Sequence, residues 1–276
     1  MKVLTIMGSP RKGYGAIVME QFEQEVKRIQ EVDFEYLYLK DVHLERCRGC
    51  LNCFFRGEDM CPVKNDDRDE IFDKMDHAEG IIFMAPAYAL HVPAVMKNFF
   101  DRFSYLFHRP YFFGKIAIGI SNEGIYGAKK NTAYFEEVAN VWGFNFVDRL
   151  ELRTIPSGGA EKKMLKKIKK TCKTFAKALN GPRFQKPSLG AYLGFQVRKV
   201  LHGIAVDEQN ADYDYWLQQG WLEEDSKYFY DTKIGLGKRL ITGLLCRILK
   251  PKFKKMFAAG PKQIYDEYLK LNSLKF

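Results

Sequence analysis

Residues 2–16 read KVLTIMGSPRKGYGA, an apolar run followed by a glycine-rich stretch. Residues 2–7 are a short, mainly apolar run that ends at Gly8, which is typical of a central parallel strand buried on both faces. From Ala16 to Gln30, apolar residues recur at the spacing of one helix face. The stretch therefore predicts a strand, a glycine-rich turn and a helix, the opening of an alternating α/β pattern.

The same alternation continues through the next three-fifths of the chain. Apolar runs predict strands at 34–39, 80–86, 115–121 and 145–154, and helical spacing predicts helices from Asp67 and at 93–106, 132–142 and 157–179. The helix after Asp67 opens with a capping-box pattern, Asp67-x-x-Glu70. Five strands alternating with five helices indicate an α/β fold, a doubly wound parallel sheet covered on both faces. Such sheets bind ligands beyond the carboxyl ends of their strands, so the loops after Met7, Met84 and Ile120 are the candidate site.

These three loops suggest a phosphorylated flat ligand. The first, 8–16, combines glycine backbone N–H groups with a helix N-terminus, which together attract an anion, and Ser9 and Arg11 add a hydroxyl and a guanidinium. It matches neither G-x-x-x-x-G-K-[ST] nor G-x-G-x-x-G, and an ordinary glycine-rich turn is the alternative. The second and third loops, 85–93 and 121–127, offer proline, aromatic and glycine residues that would clamp a ring.

Four cysteines form a second motif, C-x2-C-x2-C-x7-C, within a segment that we place at 44–66: Cys47, Cys50, Cys53 and Cys61. Short gaps between the first three allow their sulfurs to converge. The spacing is compatible with a [4Fe–4S] cluster, with a tetrahedral zinc site, or with a cysteine loop that holds no metal, and the sequence leaves these alternatives open. Cys172 lies on an apolar helical stripe, which predicts a packing role.

Charge divides the chain. Its net charge is +10, but residues 161–276 hold 24 Lys and Arg against 11 Asp and Glu, whereas the first 160 residues hold 20 and 23. We therefore expect two regions, 1–180 and a basic, mainly helical extension at 181–276. The N-terminal apolar run is too short for a signal peptide, no run is long enough to span a membrane, and clustered cysteines fit a reducing compartment, so we expect a cytoplasmic protein.

The basic extension contains an amphipathic helix predicted at Ile234–Lys250 and stopped by Pro251. Its apolar face comprises Leu240, Ile241, Leu244, Leu245, Ile248 and Leu249. Our first interpretation is that this face docks on protein, in the same chain or a second copy, and leaves the lysines in solvent. Attachment of 234–257 to a membrane surface is the alternative. No nucleic-acid recognition module is present, so we expect no nucleic-acid partner.

Taken in order, these motifs resemble the flavodoxin-like NAD(P)H-dependent FMN reductase family, in particular its iron–sulfur flavoprotein branch. The shared features are G-S-P-R-K after the first strand, the four-cysteine motif, Pro86-x-Tyr88 after the third strand, and Lys97-Asn98-x-x-Asp101-Arg102 in the next helix. The resemblance covers about residues 1–180 and implies a flavodoxin-like domain there. It also implies FMN as cofactor, NAD(P)H as co-substrate, a quinone, flavin or other electron acceptor, and a homo-oligomer.

The resemblance also assigns residues. The FMN phosphate would lie on Ser9, Arg11 and the turn formed by Gly13, Tyr14, Gly15 and Ala16. The ring would lie between two sets of residues: Pro86, Ala87, Tyr88 and Ala89 on one side, and Ser121, Asn122, Gly124 and Gly127 on the other. Relatives usually carry Ser-Asn-Thr where this chain has Tyr14-Gly15-Ala16, so side-chain donors to the phosphate are lost. No general acid or base is expected, because the hydride chemistry belongs to the cofactor.

Two other functions remain as alternatives. The chain could be a flavodoxin-type electron carrier that serves a protein partner, with the basic extension as its docking surface. It could also be a non-enzymatic scaffold that has lost FMN, which the unusual turn at Tyr14-Gly15-Ala16 makes worth testing.

Overall fold

The computed structural model describes residues 1–154, 160–204 and 210–256, together with residues 266, 267 and 270. The chain forms two compact units: the first comprises Met1–Arg48 and Val63–Arg183, and the second comprises Gly49–Pro62 and Phe184–Phe276. Most of the cysteine motif therefore groups with the basic extension rather than with the α/β unit.

The described elements follow the chain in this order: β1 (Lys2–Met7), α1 (Tyr14–Lys27), β2 (Asp33–Tyr38), α2 (Asn52–Phe55), α3 (Arg68–His77), β3 (Gly80–Pro86), α4 (Ala94–Arg102), β4 (Ile116–Glu123), α5 (Ala128–Trp142), β5 (Asn145–Arg153), α6 (Ala160–Leu179), α7 (Leu189–Ile204), α8 (Ala211–Gln218) and α9 (Leu236–Met256). Short 3₁₀ turns lie at Glu58–Met60 and Ser104–Phe107.

The five strands form one parallel sheet in the order β2-β1-β3-β4-β5. This is the flavodoxin-like order, in which the chain changes direction across the sheet between β1 and β3. Met7 pairs with Met84, and Met84 pairs with Ile120, so the three strands reach the same level before their loops begin. The predicted fold class is confirmed.

Both faces of the sheet are covered, which explains why its central strands are mainly apolar. On one face, Val3, Met7, Ile82 and Met84 pack with α1 and α6 in a single cluster of buried side chains. On the other face, Phe83 packs against aromatic rings of α4 and α5: Phe99, Phe100, Phe135 and Trp142. Cys172 belongs to the first cluster and is fully buried, as predicted.

Several element boundaries differ from the predictions for local reasons. α5 begins four residues earlier than expected, because Glu123 Oε2 accepts a hydrogen bond from the N–H of Ala128 (2.8 Å). The predicted capping box of α3 is wrong: Asp67 occupies the N-cap position, but its side chain accepts from the N–H of His43 (2.7 Å) instead of capping the helix. The predicted start of α6 at Ser157 lies outside the described residues.

The second unit has an aromatic core of its own. Phe195, Trp216 and Trp221 are buried and pack around Phe229. α9 packs against α7 and continues through Pro251 to Met256, so the predicted stop at Pro251 is wrong. Pro251 is exposed, and water can therefore satisfy the carbonyl that loses its donor there. No helix among the described residues is both long and apolar enough to cross a membrane.

Candidate functional site

A cavity of about 220 Å³ lies at the carboxyl ends of β1, β3 and β4. Ten residues that the sequence proposed as cofactor contacts line it: Ser9, Arg11, Gly13, Tyr14, Gly15, Pro86, Ala87, Tyr88, Asn122 and Gly124. All three candidate loops thus contribute to one cavity. The lining also includes Met7, Met84 and Thr154, which the sequence analysis missed. The two methionines end the strands that precede the loops, and Thr154 follows β5, whose loop was not considered.

Four other proposed contacts do not line this cavity: Ala16, Ala89, Ser121 and Gly127. Ala16 lies in the first turn of α1, and its N–H donates to Gly13 O (2.9 Å). Ser121 is buried within β4, where its hydroxyl donates to Ala85 O (2.8 Å) and accepts from Asn131 Nδ2 (3.0 Å). Its side chain joins β4 to β3 and α5.

The first loop forms a tight turn that leads directly into α1. The hydroxyl of Ser9 donates to Arg11 O (2.7 Å), so this side chain closes the turn itself. α1 begins at Tyr14 without a side-chain cap, and the first backbone N–H groups of a helix have no partner within the helix. Apart from the N–H of Ala16, which donates to Gly13 O, these N–H groups and the positive end of the helix dipole are therefore available to an anion, beside the exposed guanidinium of Arg11.

Two glycines of the first loop are set by close packing. A Cβ on Gly8 would lie 2.7 Å from Met96 Cβ on α4, and a Cβ on Gly15 would lie 2.7 Å from Met84 Cε at the cavity wall. Tyr14 fills the position that follows Gly13, and its hydroxyl lies 2.8 Å from Met164 Sδ on α6. Burial raises the pKa of Tyr14, so it contributes a neutral wall to the cavity.

The second loop contains a tight hairpin that the sequence did not predict. The N–H of Tyr88 donates to His91 O (2.8 Å), and the N–H of His91 donates to Tyr88 O (3.0 Å). Ala89 and Leu90 between them have φ of 46° and 72°, the left-handed values of a type I′ turn. Asn-Gly usually marks such a turn, so Ala-Leu gave no signal. Non-glycine residues held at positive φ are strained, a feature common at binding sites.

The second and third loops are packed against each other. The N–H of Ala87 donates to Asn122 O (2.8 Å), and Gly127 approaches Ala87 so closely that a Cβ on Gly127 would lie 2.8 Å from Ala87 Cβ. Gly127 also has a φ of 120°, which a side chain would strain. Gly127 therefore supports the cavity wall from behind rather than lining it.

Asn122 presents an unmet acceptor at the cavity. Its side chain lines the cavity, the residue is only 7% exposed, and its Oδ1 finds no hydrogen-bond donor within the described part of the chain. Leaving a buried acceptor unsatisfied costs about 1–3 kcal/mol. A ligand that brings an N–H or O–H to this atom would recover that cost.

Near the hairpin, His91 is exposed and its ring centroid lies 5.2 Å from that of Tyr134. Burial raises the pKa of Tyr134 to about 12, so the histidine packs on a neutral phenol. This arrangement favours a packing role for His91.

The structure does not gather the four cysteines into a metal site. Cys47 is exposed and belongs to the first unit, whereas Cys50, Cys53 and Cys61 are partly exposed and belong to the second. Among the residues that the structure describes, no three His, Cys, Asp or Glu side chains lie close enough together to hold a metal ion. Burial raises the pKa of Cys172 to about 12, which makes that thiol unreactive.

α4 clamps the two arms that flank the cysteine segment. On the incoming arm, Asn98 Nδ2 donates to Leu44 O (3.0 Å) and Glu45 O (3.2 Å), and Asn98 Oδ1 accepts from the N–H of Cys47 (3.3 Å). Asn98 thus fixes the backbone up to the first cysteine. It is the Asn of the K-N-x-x-D-R motif.

On the outgoing arm, the Arg of the same motif forms a buried ion pair. Arg102 Nη2 donates to both carboxylate oxygens of Asp66 (2.9 and 2.8 Å), and each side chain is only 2% exposed. Asp66 Oδ2 also accepts from the N–H of Glu45 (3.1 Å), which joins the two arms. The K-N-x-x-D-R motif therefore holds together the two ends of the cysteine segment.

A parallel sheet in the 2-1-3-4-5 order, with a cavity at its β1/β3 switch point, defines a flavodoxin-like α/β protein. The profile of the NADPH-dependent FMN reductase family matches residues 1–152, more than half of the chain, and the chain belongs to that family of flavin-dependent oxidoreductases. The resemblance predicted from the motifs is confirmed.

Relatives agree with this assignment, and solved structures agree with the fold. An iron-sulfur flavoprotein of Archaeoglobus fulgidus is 28% identical over 228 residues, which cover 80% of this chain and 100% of the relative. An iron-sulfur flavoprotein of Clostridioides difficile is 26% identical over 227 residues, covering 80% and 99%. A flavone reductase superposes with a TM-score of 0.51 at 18% identity, covering 67% of this chain and 66% of its own. RosB, with bound 8-demethyl-8-formylriboflavin-5′-phosphate, superposes with a TM-score of 0.52 at 10% identity, covering 86% and 92%. At these identities the two structures show a shared fold alone.

The buried ion pair yields a stability prediction. Arg102→Met should lower the free energy of unfolding by about 3–5 kcal/mol, because it leaves the Asp66 carboxylate buried without its cation. Lys97→Met is the matched control on the same helix: its ion pair with Asp101 is exposed, and its loss should cost at most about 1 kcal/mol. Urea unfolding followed by circular dichroism measures both.

A double variant separates the pair from simple loss of packing. Asp66→Leu combined with Arg102→Met removes both charges and should regain part of the stability that Arg102→Met loses. Equal losses of unfolding free energy for Arg102→Met and Lys97→Met would show that the Asp66–Arg102 pair does not hold the ends of the cysteine segment together.

Proposed function

We propose that this chain is an FMN-dependent NAD(P)H oxidoreductase that passes electrons to a quinone, a flavin or another acceptor. The observation that carries the proposal is the single cavity to which all three candidate loops contribute. Family membership and the iron-sulfur flavoprotein relatives support it.

The first loop would hold the FMN phosphate. Its donors are mainly backbone N–H groups at the start of α1, because the Ser9 hydroxyl closes the turn and Tyr14 brings its hydroxyl to Met164. Arg11 supplies the positive side chain at the cavity. The turn therefore suits a phosphate even without the Ser-Asn-Thr donors that are usual in the family, with more of the binding free energy resting on Arg11 and the helix N-terminus.

The second and third loops would hold the ring. The isoalloxazine carries a ring N–H that can donate to the unmet Oδ1 of Asn122. The cavity, at about 220 Å³, is smaller than the roughly 300–1,000 Å³ typical of ligand sites. We infer that it encloses only part of FMN and leaves the rest open to a nicotinamide or an acceptor.

The chemistry would be supplied by FMN, which accepts a hydride from NAD(P)H and then gives up electrons to an acceptor. The chain's residues position and shield it. The hairpin at Tyr88 and the Gly127–Ala87 contact keep the second and third loops together. Met7 and Met84, at the ends of β1 and β3, give the cavity an apolar lining that disfavours water. No proton-transfer group is assigned.

A pair of ligands tests the phosphate site. Arg11→Met should weaken FMN binding about tenfold, because a hydrogen bond to a charged group contributes about 1.5–3 kcal/mol and Arg11 is exposed. Riboflavin, which lacks the phosphate, should bind the variant and the parent equally. Lys12→Met is the control, since Lys12 Nζ lies over the Tyr38 ring, 4.6 Å from its centroid. Fluorescence titration of the apoprotein measures all three. An equal loss for both ligands would place the phosphate elsewhere.

Anaerobic titration of FMN-loaded protein with NADH and with NADPH tests the reductase activity. We expect at least one of the two nucleotides to bleach the flavin absorbance. Flavin that neither nucleotide reduces, but that a reduced protein donor does, would favour the electron-carrier alternative. Protein that takes up no FMN at all would favour the scaffold alternative.

The [4Fe–4S] proposal for the cysteines is supported by their spacing and by the names of the relatives. The proposed electron transfer does not require a cluster. Among the described residues, no three His, Cys, Asp or Glu side chains lie close enough together to hold a metal ion. Metal and acid-labile sulfide analysis of anaerobically purified protein separates the three alternatives. Iron and sulfide in equal amounts would support a cluster, zinc without sulfide would support the zinc site, and neither would leave a metal-free cysteine loop. Homo-oligomer formation and a cytoplasmic location stay predictions.

A further inference from the structure

We propose that α9 binds the surface of an anionic lipid membrane. This goes beyond the redox function and concerns a different part of the chain. From the sequence, the apolar face of this helix is expected to dock on protein, in the same chain or a second copy. Within the described part of this chain, most of that face is exposed.

The face of α9 that is turned toward the rest of its unit shares only Leu249 with the predicted apolar face. Thr242 is buried, and Cys246, Leu249 and Phe253 are partly buried, at the spacing of one helix face. Lys238 Nζ also donates to Pro187 O (2.7 Å). α9 is therefore attached to its unit by one side, through α7, which leaves the opposite side for another contact.

That opposite side is a continuous apolar strip in contact with solvent. Its members are spaced by three or four residues, so they share one face: Leu236, Leu240, Ile241, Leu244, Leu245 and Ile248. The exposed fraction is 74% for Leu240 and 61% for Leu244. Single exposed apolar residues are ordinary, but a contiguous strip marks a surface that is covered when the protein works.

Charge identifies what covers the strip. α9 carries seven basic residues and no acidic residue between Leu236 and Met256: Lys238, Arg239, Arg247, Lys250, Lys252, Lys254 and Lys255. Two copies of such a helix would repel each other, so a symmetric helix-to-helix dimer is disfavoured. An apolar strip flanked by Lys and Arg is instead the pattern of helices that lie in the interface of a bilayer with anionic lipids.

Flotation of the full-length, FMN-loaded protein with vesicles tests the proposal. We expect binding to vesicles of phosphatidylglycerol and phosphatidylcholine, little binding to phosphatidylcholine alone, and release as salt is raised. Two α9 variants should each lower the partition coefficient at least about tenfold. One removes the strip, Leu240→Gln with Leu244→Gln and Ile248→Gln; the other reverses the charge, Lys252→Glu with Lys254→Glu and Lys255→Glu.

A control variant matches the charge reversal. Lys166→Glu with Lys170→Glu and Lys173→Glu makes the same change on exposed positions of α6 and should bind vesicles as the parent does. If the strip variant fails to fold by circular dichroism, the charge variant and its control still decide the matter. Absence of binding, equal binding to both lipids, or equal loss in the α6 control would overturn the proposal. One further result would also overturn it: the parent is an oligomer by light scattering and does not bind vesicles, and an α9 variant is a monomer. A second copy would then cover the strip.

Discussion

The parallel register of three strands is the constraint on which the site depends. Because Met7 pairs with Met84 and Met84 with Ile120, β1, β3 and β4 reach one level together. A shift of one residue in any of them would displace its loop by more than 3 Å and turn its last side chain to the other face. Burial of both faces fixes the register, since every strand residue must meet either α1 and α6 or the aromatic rings of α4 and α5.

Close backbone contacts then convert that register into a cavity. Gly8 lies against α4 and Gly127 lies against Ala87, and in both cases a Cβ would overlap a neighbouring Cβ. The loops are consequently held by packing rather than by bonds to a ligand. The Ala89–Leu90 turn carries backbone strain at the same place, and the surrounding contacts must compensate for that strain. The cavity is therefore preformed and offers an unmet acceptor, Asn122 Oδ1. In a preformed site, little of the binding free energy is lost to ordering the loops.

What could be predicted from the sequence depended on whether the signal was local. The apolar runs predicted every strand of the first unit. The signal was clearest for the central strands β1, β3 and β4, because strands buried on both faces are mainly apolar. The order of the loops gave most of the cavity lining. Three features could not be found in this way. The type I′ turn at Ala89 and Leu90 lacks the Asn-Gly signature. The Asp67 side chain accepts a hydrogen bond from the distant His43 backbone instead of capping α3. Pro251 lies in a helix whose solvent-facing carbonyl water can satisfy. Each of these outcomes was decided by tertiary contacts or solvent, which a local pattern does not record.

α4 relates the two motifs that the sequence presents separately. It follows directly from the loop that carries Tyr88, and its last turns hold both arms of the cysteine segment through Asn98 and Arg102. The Asp66–Arg102 pair is nearly fully buried, so the position of the outgoing arm is specified at a desolvation cost that a surface contact would not carry. Such a cost is reasonable only where the location of the arms matters. The K-N-x-x-D-R motif therefore has a structural reason to accompany the cysteines: it sets where their segment leaves and re-enters the α/β unit, from the same helix that follows the Tyr88 hairpin.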